Sequence, residues 1–331
     1  MRQRKTKRGM ERLAFSPSGR LLVGRDGQQE VHVWDATTLE PVERVPANDP
    51  RAKLFDCLFR AGGRLFLQTQ GYCSAEHDLP AGAPRPEHQN GLPGLEPHIY
   101  GWEWSATWHA LYTRHFACFG PDGQTFVGWH PAVEGAGEGL WGFDGGQVRA
   151  FGWMSSWIVN DMAFSADGRF LAAPFFSGLT GYETALVDLR EEPPPRGVLY
   201  HNDDVVKVAW SPAAPLLACA ATRSVWLWDA PAAIGAIAEG PVPGVFPLMI
   251  EPVHRFTGFR TTVEGLSFAP DGRLLVGGAR EGRIRVWEVA SGREKADLDW
   301  KSGKVNDLAF SPDGSTMAVA CSKGVVVWDA D

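Results

Sequence analysis

The side chains best suited to holding a metal fall in one stretch, GYCSAEHDLPAGAPRPEHQNGLPGLEPH (71–98), which contains Cys73, His77, His88 and His98. Thiolate and imidazole are zinc ligands, but zinc sites set their ligands at short, regular spacings on stiff turns. The four residues follow no such pattern, and the chain between them is dense in Pro and Gly. The stretch reads as a solvated surface loop, so no metal and no cofactor is expected. The densest acidic run, HNDDVV (201–206), does not make a general acid–base pair by linear proximity alone. No G-x-S-x-G elbow, HExxH helix, P-loop or helix-opening GxGxxG occurs, and runs such as VGGAREGR lie between strands, where glycine serves the turn. The chain is therefore expected not to be an enzyme.

The elements that must position these residues are bounded by composition. Over 331 residues, Lys and Arg total 32 against 39 Asp and Glu, a formal net charge of -7, which offers no general attraction for nucleic acid or an anionic membrane. The start, MRQRKTKRGMERLAF, is basic but leads into no apolar signal core, and no run of about 18 apolar residues follows anywhere. Five cysteines is an odd number, and Cys57, Cys118, Cys219 and Cys321 sit inside apolar strand patterns as small hydrophobes. A cytoplasmic, reducing location is expected.

The phrase LAFSPSGRLLV (13–23) returns as MAFSADGRFLA, LSFAPDGRLLV and LAFSPDGSTMA. The aromatic before each turn marks seven units: Phe15, Phe59, Phe119, Phe164, Trp210, Phe268 and Phe310, spaced by 44, 60, 45, 46, 58 and 42 residues. Four-stranded propeller blades repeat at roughly 40 to 45 residues. Each unit opens with an apolar run, turns at SPSG, GPDG, SADG, APDG or SPDG, and pairs with a second run. A third run closes most units: VHVWDA (31–36), VWLWDA (225–230), IRVWEV (284–289) and VVVWDA (325–330), apolar on both faces as a covered strand requires. Trp102-Glu103, Phe143-Asp144 and Val187-Asp188 are matched to the same place in the other three.

These residues resemble the WD-repeat β-propeller family over essentially the whole chain. The resemblance implies an all-β fold: one seven-bladed β-propeller of four-stranded antiparallel blades over residues 1–331, with insertions near 71–98 and 230–250, the second with room for one short helical turn. The last unit ends three residues after Trp328 and lacks a fourth strand. In the family the N-terminus supplies it, so the basic segment 1–8 is expected to close the ring; a nucleic-acid or targeting patch is the competing reading of the same charges. The family ties each blade with a Trp, Ser/Thr, His and Asp set. Here only His201 stands nine residues before its marker aromatic, with Phe259, Lys301 and Ser155 elsewhere and Glu281 nearest the Asp position, so apolar packing must dominate.

The family's partners dock at the narrow face, on residues four before each marker. Here these are Glu11, Phe55, His115, Asn160, Val206, Glu264 and Asn306, with Asp204, Thr262, Lys304 and Arg280 as secondary candidates. That set suits a peptide with Lys or Arg and an apolar anchor better than a phosphate backbone. The near-identical VNDMAFS (159–165) and VNDLAFS (305–311) allow either local backbone bonding or partner contact. Tryptophan is concentrated at 101–112, 128–131 and 151–157, which fits packing between blades or ligand recognition. The expected function is a non-catalytic protein- or peptide-binding scaffold: a monomeric propeller within a complex, with no nucleic acid and no membrane. Metal-dependent hydrolase or lactonase chemistry and small-ligand sensing are the alternatives.

Overall fold

In the computed structural model, the described residues are 2–6, 8–28, 30–45, 54–59, 65–69, 74–77, 117–121, 125–133, 137–144, 147–150, 158–177, 181–189, 196–238 and 250–329. Their strands form seven separate antiparallel sheets. Six of the marker aromatics end a sheet's first strand, Met10–Phe15, Leu54–Phe59, Ala117–Phe119, Val205–Trp210, Val263–Phe268 and Val305–Phe310, and Phe164 ends Ala163–Phe164, the second piece of the fourth sheet's divided inner strand. The recurrent phrase is thus one hairpin, repeated.

The turn chemistry explains the hairpins. Gly19, Gly168, Gly272 and Gly314 close four of these turns with φ between 70 and 74°, a region that a Cβ disfavours. Their N–H groups donate to the carbonyls of Ser16, Ser165, Ala269 and Ser311 at 2.8–2.9 Å. Beyond the turn the strands alternate little and bury both faces; in Leu216–Ala221 and Thr316–Cys321 every residue after the half-buried first is buried. What covers those faces is the neighbouring sheet. One buried cluster joins Met10, Leu13 and Trp34 of the first sheet to Ala318, Ala320, Val325 and Val327 of the last. Similar clusters join the third to the fourth sheet, the fourth to the fifth, the fifth to the sixth and the sixth to the seventh. The core is a set of seams between successive sheets rather than one central body, which is the packing of a propeller.

Arg2–Lys5 supplies the outer strand of the last sheet, antiparallel to Gly324–Asp329 with Arg2 opposite Val327 and Lys5 opposite Gly324. The strand is stitched to the first sheet as well: Arg4 Nη1 donates to the Leu39 carbonyl at 2.7 Å, and Arg2 donates to the carbonyl of Thr37. Arg2 also pairs with Asp329 at 2.8 Å. The basic segment therefore closes the ring, with the Arg2 and Arg4 guanidiniums engaged by carbonyls and carboxylates of the first and last sheets.

The two insertions differ from expectation. In the second unit Ser74–His77 pairs with Leu65–Thr69 as the third strand, so part of the expected loop 71–98 is sheet. Its polar composition hid the strand, which the pairing partner imposes. Cys73, His88, His98 and Trp102 lie outside the described residues. The other insertion opens with a helix, Ala230–Ala238, longer than one turn. Asp229 caps it, accepting the Ala232 N–H at 2.9 Å, and Ala230 and Ala233 are buried against the fourth and fifth sheets. Among the described residues, no helix is long and apolar enough to cross a membrane.

The family's polar tie is replaced by ring packing. Phe256 stacks on Trp287 at 4.7 Å and Phe259 meets the same indole edge-on at 5.9 Å. Trp300 abuts Trp328 at 5.9 Å, and His32 stacks on Trp34 at 5.6 Å. His201 bonds to Thr184 Oγ1 at 2.8 Å and stacks on Trp226 at 4.6 Å. Burial drives its pKa down to about 3, so it is neutral.

Candidate functional site

The first strands carry one irregularity in the same place. Pairing with the second strand slips between Met10 and Arg12, Leu54 and Asp56, Val205 and Lys207, Val263 and Gly265, and Val305 and Asp307. The skipped residues are Glu11, Phe55, Val206, Glu264 and Asn306: five of the seven positions expected to face a partner. A β-bulge re-aims its extra side chain and increases local twist, and such features gather next to functional sites. In the fourth sheet the strand is broken outright between Val159 and Ala163, and Asn160 lies in the gap. His115 lies outside the described residues, and Phe55 is placed by its strand alone.

The bulged residues do different work. Asn306 Nδ2 donates to the Met10 carbonyl at 2.7 Å, and Asp307 Oδ2 accepts the Leu13 N–H at 3.2 Å. Asn160 Nδ2 donates to the Val205 carbonyl and to Asp204 Oδ1, both at 2.8 Å, while Asp161 Oδ2 accepts the Val208 N–H at 2.9 Å. Both VND segments are thus the same clasp, each holding the first strand of the next sheet in the ring. Asn160 and Val206 are buried. Glu11 and Glu264 are ion-paired at 2.8 Å, with Arg25 and Arg280 respectively.

The residues that follow three of the bulges come together across sheets. Lys207 Nζ lies 3.2 Å and Arg12 Nη1 3.9 Å from the two oxygens of Asp307. All three side chains are at most 16% exposed. Sequence spacing gave no hint of this trio, because its members come from three sheets; only the shared place three before each marker aromatic could have found them.

The upper rim is continuous across the sixth, seventh and first sheets. A Cβ on Gly282 would meet the Gly303 carbonyl at 2.8 Å, and one on Gly9 would meet Ser322 at 2.8 Å. The Arg280 N–H donates to the Thr262 carbonyl, and Ser322 Oγ accepts the Lys304 N–H. Arg280 and Lys304 present exposed cations there. No constellation of nucleophile, base and orienting group assembles among the described residues at this mouth; the arrangement offers binding chemistry.

The radial seams, the closing strand and the repeated bulge define a β-propeller. The family model for the WD domain, G-beta repeat, matches residues 194–229, 250–288 and 294–329, so the chain is a propeller carrying WD repeats in at least its fifth, sixth and seventh units. Similar sequences include human Coronin-7, 26% identical over 172 residues, covering 49% of this chain and 17% of that protein. Human WD repeat and SOCS box-containing protein 1 is 41% identical over 64 residues, 19% of this chain and 15% of that protein. Pre-mRNA-processing factor 19 homolog 2 of Arabidopsis thaliana is 35% identical over 63 residues, 19% and 12% of the two lengths. The matches therefore span less than a fifth of these relatives. Among solved structures, the β-propeller domain of Cps50 (Swd1) from Myceliophteria thermophila superposes with a TM-score of 0.69 over 98% of both chains at 13% identity, a likeness of fold.

Proposed function

We propose that the chain is a non-catalytic scaffold, a single seven-bladed ring over residues 1–331 that binds a protein or peptide at the mouth of its channel in the cytoplasm. The observation that carries this reading is the bulge repeated at one position in five first strands, which sets side chains of different chemistry around one opening. Their ordering cost is met during folding, so a partner meets a preorganised surface. The docking set is Glu11, Phe55, His115, Asn160, Val206, Glu264 and Asn306, flanked by Asp204, Thr262, Arg280 and Lys304. Within it, the exposed Glu11, Arg280 and Lys304 contact the partner directly, whereas the buried Asn160 and Val206 shape the floor. Affinity capture from native lysate tests this. An Arg280→Glu/Lys304→Glu variant should lose the same few proteins that the wild type retains, and an unchanged set would contradict the assignment.

A further inference from the structure

The turn between the second and third strands of the first sheet, Asp26 to Glu30, meets the N-terminal closing segment at a cavity of about 430 Å³. Asp26, Glu30 and His32 of the first sheet line it together with Arg4, Lys5 and Arg8 of the closing segment. One ligand atom from each of Asp26, Glu30 and His32 lies within 4.8 Å of the other two. His32 Nε2 is 3.2 Å from Asp26 Oδ2. Ligands bound at about 2.0 to 2.2 Å from a tetrahedral ion stand roughly that far apart, so one edge of a coordination shell is already in place.

The supports are those of a built site. Asp26 is 3% exposed, and its other oxygen accepts the N–H groups of Gln28 and Glu30 at 2.9 and 3.0 Å, which fixes the carboxylate plane. His32 is held by its parallel stack on Trp34, with 6° between the rings. Outer partners of this kind orient metal ligands. Glu30 is exposed and can swing in as the third ligand. One imidazole with two carboxylates suits a transition ion better than Mg²⁺ or Ca²⁺, which prefer all-oxygen shells. The two carboxylates also cancel a 2+ charge. Lys5 and Arg8 have no side-chain partner among the described residues, so the cavity wall facing the cluster is cationic and open.

We propose that Asp26, Glu30 and His32 form a divalent transition-metal site, with Zn²⁺ the best fit, whose open position faces the cavity and takes a carboxylate held by Lys5 and Arg8. The metal set differs entirely from Cys73, His77, His88 and His98, and it stands independently of partner binding at the channel mouth.

Titration of chelator-stripped full chain with Zn²⁺ tests the metal, by calorimetry and by metal content after desalting. The wild type should take up one ion per chain. His32→Ala and Glu30→Gln should each weaken uptake about tenfold or more. Glu30 is exposed, so Glu30→Gln keeps the test valid if His32→Ala unfolds. Absence of saturable uptake, or equal uptake by both variants and wild type, would overturn the site. Visible absorption of the Co²⁺ form tests the carboxylate: acetate should shift the wild-type bands and leave those of Lys5→Ala/Arg8→Ala unmoved. An equal response, or none, would overturn that part.

Discussion

Lys207 Nζ reaches Asp307 Oδ1 at 3.2 Å although the fifth and seventh sheets are separated by a sixth. The first strand of the intervening sheet carries Gly265 at the same place, so no side chain stands between them. Asp307 also holds the first sheet, through Arg12 and the Leu13 N–H. One carboxylate thereby links three sheets. Asp307→Ala should remove the carboxylate that the half-buried Lys207 ammonium and the Leu13 N–H both use and cost about 1 to 3 kcal/mol, measured by urea unfolding. A loss well under 1 kcal/mol would contradict the linkage.

The clasp makes a separate prediction. Asn306→Ala removes the donor that satisfies the Met10 carbonyl, and Met10 is fully buried. The expected loss is about 1 to 3 kcal/mol. Because Asn160 does the same work at the seam between the fourth and fifth sheets, Asn160→Ala should show a loss of the same order, and the two effects should add within about 0.5 kcal/mol.

His201 predicts an acid dependence. Its pKa falls from 6.5 to about 3 on folding because burial penalises the charged ring. Below pH 6.5 the unfolded chain binds a proton that the folded chain does not, so stability is full above that pH. It is lost as pH falls toward 3, by up to about 1.4 kcal/mol per pH unit. His201→Phe should flatten the unfolding free energy between pH 6.5 and 4 relative to wild type. Parallel profiles would refute the assignment.

Burial raises the thiols of Cys219 and Cys321 to about 12, and Cys118 well above its ordinary value. Thiolate is the reactive form. Maleimide labelling read by peptide mapping at neutral pH should therefore spare all three in the folded chain and modify them in denaturant.

Much of this architecture could be read in advance because the marker aromatics and the Gly19, Gly168, Gly272 and Gly314 turns are local signals, set by strand alternation and positive φ. Closure by Arg2–Lys5 was also legible, since the last unit visibly lacked a strand. Ser74–His77 was not, because a polar four-residue strand is held by its partner rather than by its own pattern. The VND segments could be read two ways in sequence, and only the distances to Met10, Leu13, Val205 and Val208 decide for a clasp. The Lys207–Asp307 pair and the Asp26, Glu30 and His32 group depend on ring geometry and on one turn's conformation, neither of which spacing encodes.

Hydrogen exchange at residues 3–5 tests the closed ring most directly. If these residues pair with Gly324–Asp329, their hydrogen-bonded amides should exchange slowly, in step with those of the last sheet, and slow exchange at Val325–Val327 should be lost when residues 1–8 are deleted. Exchange of residues 3–5 at the rate of an unstructured peptide, with Val325–Val327 unaffected by the deletion, would contradict it.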